Sequence, residues 1–314
     1  MKKLLILGGS GFIGRSILDE FILGKLKRFN INKLILVSRN ILKLKKNYKK
    51  KNIILKSLNL TTARIIPEAD IIIHAAENAI KKTSKKKFKE SIKLSNKITK
   101  NIIKILKNLK SKKTVIYLSS GAVYRPNHKT KKIKENNKIL SIKDSKKNFR
   151  YLYGLNKIKS ERELLKLQSK HNIIILRLFS FVGKRIPKDS NYILENIKKN
   201  IKSKKTLNLL SNNFLTTYRS FLSTNDLTSF ILRLITIKFI KVKPIFNIGS
   251  DKSISLIYLV KKLSKIYKFK YEINKKQSNK IDFYVPNINK LKQVINCKFE
   301  KNTFALITNY LSEK

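Results

Sequence analysis

One stretch near the start of the chain restricts the fold more than any other. Leu4-Leu5-Ile6-Leu7 runs directly into Gly8-Gly9-Ser10-Gly11-Phe12-Ile13-Gly14. The apolar residues predict a short buried strand, and a glycine loop follows at once. Gly8 lets the chain turn out of the strand. Gly11 leaves room for backbone to touch a diphosphate, and Gly14 lets the next helix lie close on the sheet. Ile13, Ile17, Leu18 and Phe21 recur at helical spacing, so the helix begins inside the loop. Its free N–H groups and positive dipole end then point where a diphosphate would sit. A glycine triplet alone can also be a tight turn without a ligand. The strand–loop–helix context favours a dinucleotide site.

Strand and helix patterns alternate beyond this point, which predicts an α/β fold with a doubly wound parallel sheet of the Rossmann type, covered on both faces. Lys33–Val37, Ile53–Leu60, Asp70–Ala76, Thr114–Leu118, Ile173–Leu178 and Pro244–Ile248 are the further strands. Ile98, Ile102, Ile105 and Leu106 mark a long helix between two of them. Past Gly183 the alternation fades. Asn191–Ile201 reads as helical, and Ser255 caps an amphipathic helix carrying Leu256, Leu259, Val260, Leu263 and Ile266. The expected division is a dinucleotide-binding domain over residues 1–182, to which 217–252 return, and a smaller substrate-binding lobe within 183–314. The crevice between them, at the carboxyl ends of the strands, is where such a sheet binds ligand.

The charge is extreme: 73 Lys+Arg against 18 Asp+Glu, formally +55. Such a balance suits nucleic-acid binders. The lysines, however, are spread along the whole chain with abundant Ile and Asn, a mixture expected from an AT-rich coding drift. The runs Lys45–Lys51, Lys81–Lys89 and Lys129–Lys138 read as solvated loops or helix faces, and only Tyr48 and Phe88 interrupt them, too few for a base-stacking platform. No specific nucleic-acid partner is expected. Met1-Lys2-Lys3 before leucines looks like an export signal, but the apolar run stops at Gly8 and Arg15, Asp19 and Glu20 follow. No window is long and charge-free enough to span a bilayer; Phe230–Phe246 is broken by Arg233, Lys238, Lys241 and Lys243. The single cysteine, Cys297, excludes an internal disulfide and suits a reducing, cytoplasmic setting. His74, His128 and His171 are scattered, so no metal site is expected.

Chemistry is concentrated at strand ends. The second strand ends Val37-Ser38-Arg39-Asn40. An acidic residue there would bond the adenosine ribose hydroxyls and disfavour a 2′-phosphate. Here Arg39, with Arg15, can offer a forked contact to that phosphate, which favours NADP over NAD. Arg39 stacked on adenine, or in water, is the other reading. The fifth strand ends Ser119-Ser120-Gly121-Ala122-Val123-Tyr124, and Tyr151-Leu152-Tyr153-Gly154-Leu155-Asn156-Lys157 comes later. Tyr153 and Lys157 stand at i and i+4, on one helix face. An adjacent ammonium favours the phenolate and lowers the tyrosine pKa. A phenolate so tuned takes a proton from an alcohol while hydride leaves for a nicotinamide. Ser120 would hydrogen-bond the same oxygen. A surface aromatic–lysine pair and a turn serine are the plainer readings of each part.

Taken together these motifs resemble the extended short-chain dehydrogenase/reductase family, the nucleotide-sugar epimerases and dehydratases. The similarity continues in order through His74-Ala75-Ala76, Arg177-Leu178-Phe179-Ser180-Phe181-Val182-Gly183, Tyr218–Leu227 and Phe246-Asn247-Ile248-Gly249-Ser250. The resemblance implies that Ser120, Tyr153 and Lys157 carry the chemistry and that Lys157 also holds the nicotinamide ribose. It implies cofactor contacts from Gly8, Gly11, Phe12, Ile13, Gly14, Ser38, Arg39, Asn59, Leu60, Ala75 and Ala76. It implies substrate contacts from Ser180, Arg219 and Tyr124, with Arg219 on the diphosphate of a sugar nucleotide, and a homodimer. Several positions depart from the family pattern: Ser38 for an acidic residue, Asn59 for an adenine-contacting aspartate (keeping an acceptor), Ser180 for an asparagine, Arg125 for a glycine and Asn287 for an aspartate.

Sugar dehydratases of this kind place Asp-Glu after the catalytic serine or threonine, because elimination needs an acid and a base. Gly121-Ala122 stand there instead and cannot move protons. The expectation is therefore a nucleotide-sugar epimerase that oxidises and re-reduces a ring hydroxyl. An NADPH-dependent ketosugar reductase needs the same three residues. The rival of another class is a non-catalytic nucleic-acid-binding protein of dehydrogenase fold, against which the complete set Ser120, Tyr153 and Lys157 argues.

Overall fold

In the computed structural model, residues 1–41, 44, 52–77, 84–148, 151–184, 186, 192–209, 211–237, 244–274, 278–299 and 302–313 are described. The Lys45–Lys51 run, the start of the Lys81–Lys89 run and part of Phe230–Phe246 lie outside them. The strands that build the central sheet are β1 (Lys2–Leu7), β2 (Ile31–Ser38), β3 (Ile53–Ser57), β4 (Ile71–His74), β5 (Thr114–Ser120), β6 (Asn172–Leu178) and β11 (Ile245–Ile248). They pair in parallel in the order β11-β6-β5-β4-β1-β2-β3. The order reverses between β1 and β4, which opens a crevice at their carboxyl ends. This is the doubly wound, Rossmann-type sheet that the alternating sequence implies.

The side chains of β1 show how the sheet is buried. Leu4 and Ile6 point to one face, where helix α1 (Phe12–Ile22) and helix α6 (Thr224–Leu234) contribute Ile17, Leu18, Phe230 and Ile231. Leu5 and Leu7 point to the other, against Ile98, Ile102 and Leu106 of helix α2 (Lys85–Asn108) and Leu164 of helix α4 (Tyr151–Leu165). All four β1 residues are inaccessible to solvent. Period-two alternation with both faces apolar is what a parallel strand inside two helical layers requires. The lysines of α2 obey the complementary rule: Lys89, Lys93, Lys97, Lys100 and Lys104 form an exposed stripe opposite the buried isoleucines.

A separate core gathers Leu194 and Ile197 of helix α5 (Ile193–Ser203), Leu259 and Leu263 of helix α7 (Leu256–Tyr267) and Ile307 of helix α9 (Thr303–Ser312). Ser255 caps α7 as its spacing implies, accepting from Tyr258 N–H. The late segment does not stay wholly with this core. Ile288, Leu291 and Ile295, around helix α8 (Asn289–Val294), return to the core on the Leu4 face of the sheet. Short strands β9 (Thr217–Arg219) and β14 (Asp282–Tyr284) pair in parallel and bring Arg219 beside Tyr284. Among the described residues no helix is long and apolar enough to cross a membrane.

Candidate functional site

The glycine loop is shaped by close backbone packing. Gly8 has φ +92°, and a Cβ on it would stand 2.6 Å from the Ala75 carbonyl oxygen. Only glycine meets both conditions. A Cβ on Gly11 would meet Gly8 O alone, at 3.1 Å, so its remaining surroundings are open. A Cβ on Gly14 would stand 2.5 Å from Gly9 O, so the first helical turn is seated on the loop, and Gly9 in turn packs on Leu36 of β2. Phe12 also points away from the cleft, stacking on Phe181 at 5.1 Å and 16°, while Ile13 packs on the main core. Of these three, only the backbone can serve a ligand at the loop.

Gly8, Gly11, Ser38, Arg39, Asn59, Leu60, Ala75 and Ala76 line one cleft, which Ser10 and Glu77 share. The serine hydroxyls of Ser10 and Ser38 lie 2.6 Å apart across it. Arg39 is exposed at the rim. Asn59 corrects the expected acceptor: its amide oxygen already accepts from Thr61 N–H at 3.1 Å and Thr61 Oγ1 at 2.9 Å. Both lone pairs of that oxygen are engaged, so the NH₂ group is what it offers a ligand. The floor at Ala75-Ala76 is set by His74, whose Nδ1 accepts from Ala76 N–H at 3.3 Å and whose Nε2 pairs with Thr99 Oγ1 at 3.0 Å. Burial holds His74 neutral, with its pKa down at about 3. Glycine-loop backbone, serine hydroxyls, an asparagine amide and a rim arginine are groups that could hold a dinucleotide.

Ser120 ends β5 and caps the turn that follows, its Oγ accepting from Ala122 N–H at 3.1 Å. Helix α4 lies directly on that turn. Gly154 makes this possible, because a Cβ there would collide with the Ala122 carbonyl oxygen. Tyr153 and Lys157 therefore enter from the helix face that the i, i+4 spacing implies. Lys157 is buried, with Nζ donating to Leu118 O at 2.5 Å and forming an ion pair with Glu77. Tyr153 Oη donates to Glu77 Oε2 at 3.4 Å.

The electrostatics differ from the simple lysine–tyrosine reading. Burial first, and the Glu77 carboxylate second, hold the Tyr153 phenol well above its ordinary range. Burial lowers the Lys157 pKa, and Glu77 opposes that effect. Lys157 thus faces a carboxylate as well as the phenol, and its charge is compensated locally.

The expected substrate residues are placed less uniformly. Ser180 follows β6 and is half-buried. Arg219 donates to Asp282 Oδ2 at 2.7 Å and lies 5.7 Å from the Tyr284 ring, so its charge is already paired within the protein. Tyr124 is buried, accepting from Arg177 at 2.9 Å and donating to Asn247 Oδ1 at 2.7 Å. Its hydroxyl belongs to an internal network, and burial pushes its pKa up to about 12. That network continues through the buried Arg177–Glu161 pair at 2.7 Å to Ser119 Oγ, 2.5 Å from Glu161 Oε1.

Two site residues have no forerunner among the expectations. Tyr284, whose phenol pKa is raised by burial and partly lowered again by the nearby Ser120 hydroxyl, arrives from β14, and no local pattern marks it. A Cβ on Gly121 would stand 2.7 Å from its hydroxyl oxygen, which explains the glycine there. Glu77 did have a signal: it is a carboxylate at a strand end in a chain with only 18 Asp+Glu.

A parallel sheet with a glycine-loop cleft at its switch point, and a serine, a tyrosine and a lysine at the neighbouring strand end, defines a dinucleotide-binding α/β protein of the short-chain dehydrogenase type. The chain belongs to the NAD dependent epimerase/dehydratase family, whose model matches residues 4–249. No curated protein matches the sequence. Among solved structures, the chain is similar to UDP-glucuronic acid 4-epimerase from Bacillus cereus, with a TM-score of 0.79, 17% identity and 98% of each chain covered. It is similar to UDP-glucose 4-epimerase from Thermotoga maritima, with a TM-score of 0.74, 17% identity and coverage of 98% of this chain and 97% of that one. It is also similar to dTDP-glucose 4,6-dehydratase from Bacillus anthracis, with a TM-score of 0.76, 16% identity and coverage of 99% and 96%.

Proposed function

We propose that the protein is a nucleotide-sugar epimerase that oxidises a ring hydroxyl and re-reduces the resulting ketone on its opposite face. The observation that carries this reading is the seating of α4 on the Ser120 turn, with Tyr153 and Lys157 both contacting Glu77, a residue that lines the glycine-loop cleft. A nicotinamide dinucleotide supplies hydride transfer when bound. The glycine-loop backbone, Ser38, Arg39, Asn59, Ala75 and Ala76 are the groups assigned to hold it. Tyr153 moves the hydroxyl proton, Ser120 orients the same oxygen, and Lys157 holds the ribose. Gly121 and Ala122 offer no proton-moving group, which disfavours elimination of water. The UDP-sugar epimerases named above support the substrate class, and the structure of the Bacillus cereus enzyme is in complex with UDP-glucuronic acid and NAD.

Arg39 at the rim favours a second reading, an NADPH-dependent ketosugar reductase, because an exposed guanidinium suits a 2′-phosphate. Supplying UDP- and dTDP-sugars with each cofactor, and following isomer formation against net nicotinamide absorbance change, separates the two. Isomer without absorbance change is expected. In Tyr153→Phe, turnover should fall by about 10²–10⁴ with cofactor binding retained. Full activity in that variant would overturn the assignment.

A further inference from the structure

Glu77 is held where it can do more than balance a charge. It follows β4 on a turn fixed by Gly8 packing against Ala75 and by the His74–Ala76 hydrogen bond. Its own N–H donates to Ala75 O at 3.1 Å. From this turn one carboxylate oxygen pairs with Lys157 and the other accepts from Tyr153 at 3.4 Å. The Lys157 side chain is 2% exposed and that of Glu77 is 21% exposed, on the wall of the cleft. Among the described residues, Leu118 O and Glu77 take two of the three ammonium hydrogens, and Nζ lies 4.7 Å from the Tyr117 ring centroid.

A lysine stabilises a phenolate best when its charge is uncompensated. Here Glu77 compensates it. Among the described residues, the other titratable groups around the pair give no relief: Tyr117 of β5, Tyr192 and Tyr284 all have raised pKa values, chiefly through burial. His74 of β4 is neutral, and Glu161 of α4 adds a second negative charge near Lys157. A free Tyr153 phenolate is therefore an unfavourable species in this site, and a carboxylate stands within reach of its proton.

We propose that Glu77 is the terminal proton acceptor of the reaction and that Tyr153 is the relay that reaches it. The substrate hydroxyl gives its proton to Tyr153 Oη while the Tyr153 O–H proton passes to Glu77 Oε2. The substrate C–H bond breaks with its electron pair going to the nicotinamide dinucleotide, and the oxygen lone pair completes the C=O bond. Glu77 ends as a neutral carboxylic acid, and re-reduction runs the same transfers backwards. A separation of 3.4 Å is longer than an ordinary O–H···O bond, and catalytic hydrogen bonds of this kind shorten when substrate is seated. The proposal rests on Tyr153 being the acid/base group of the reaction.

The test compares wild type, Glu77→Gln and Glu77→Asp in the pH dependence of turnover, and follows the Tyr153 phenol by ¹³C-tyrosine NMR in ligand-free protein. The Tyr153 resonance is the one lost in Tyr153→Phe. With the relay, Glu77→Gln loses on the order of 10²-fold in turnover, and its acid limb moves to higher pH, since the phenol must then hold the proton itself. Glu77→Asp recovers part of the loss. In the same Gln variant the ligand-free phenol titrates at lower pH, because a negative neighbour is gone. An acid limb that moves down with turnover retained would reduce Glu77 to a counter-charge and overturn the relay. An unchanged Tyr153 titration would do so too, by showing that the two groups are uncoupled. A fully active Tyr153→Phe would strike the reading of the site itself, whereas an inactive Tyr153→Phe beside an unaffected Glu77→Gln removes only the relay.

Discussion

Gly154 lies against the Ala122 carbonyl with no room for a Cβ between them, so α4 rests its backbone on the turn that Ser120 begins. Two stretches separated in sequence are joined at this contact, and it fixes how Tyr153 approaches the serine. Gly154→Ala should push the helix off the turn. Overpacking of this kind costs about 1–3 kcal/mol, and a shift near 1 Å in a catalytic group costs about 10²-fold in rate. Thermal unfolding and turnover measured together should show a modest loss of stability and a large loss of activity. Equal activity in the alanine variant would mean that α4 does not set the geometry.

The Arg177–Glu161 pair is the second support beneath the same helix. Both side chains are buried, and their network ties α4 to β5 through Ser119 and to β11 through Tyr124 and Asn247. Removing one partner leaves a charge in the interior without compensation. Arg177→Met should therefore destabilise by about 3–5 kcal/mol, while the double variant with Glu161→Leu should recover much of that loss. Denaturant unfolding of the two single variants and the double variant gives the coupling directly. Additive effects would contradict the network.

How much of this was legible in the residues depends on range. The Gly8–Gly14 loop, the strands and the Tyr153/Lys157 face are local patterns, and each appears within a residue or two of its expected place, except that β3 stops at Ser57, three residues short of the expected Leu60. Buried strands announce themselves because both faces must be apolar, as Leu4 to Leu7 are. The site's electrostatics were only faintly legible: Glu77 stands out as a rare carboxylate at a strand end, Tyr284 arrives unmarked from β14, and no spacing rule connects either to α4. Asn59 and Tyr124 illustrate the same limit. Their residue types allow ligand contacts, but Thr61, Arg177 and Asn247 had already taken the groups concerned.

His74 makes the fold sensitive to acid. Its pKa in the folded chain is about 3, against 6.5 for the free side chain, because burial penalises the imidazolium. Between these values the unfolded chain binds the extra proton, so the His74 contribution to stability is present above pH 6.5 and is lost as the pH falls toward about 3. The slope is about 1.4 kcal/mol per pH unit in that window. Unfolding free energies taken from pH 7 downward should fall more steeply in wild type than in His74→Gln, with other groups contributing equally to both. Parallel curves would show that the imidazole is not buried neutral.

The cleft offers a direct test of cofactor choice at Arg39. Ser38 Oγ is within 2.6 Å of Ser10 Oγ, so the second strand and the glycine loop together present a hydroxyl pair where a carboxylate would repel a 2′-phosphate. Arg39 stands exposed at the rim beside it. A charge-assisted, bidentate contact to that phosphate is worth about 1.5–3 kcal/mol, equivalent to about ten- to a hundredfold in affinity. Against it stands the epimerase chemistry, which returns hydride within one turnover and works equally well with NAD. Titrating protein stripped of nucleotide with NAD and NADP should give tighter NADP binding, and Arg39→Ala should weaken NADP by that factor while sparing NAD. Raising the salt concentration should erode the preference, because an exposed guanidinium is screened. Equal loss of both cofactors in Arg39→Ala would assign the guanidinium to the adenine face and leave the 2′-position without a reader.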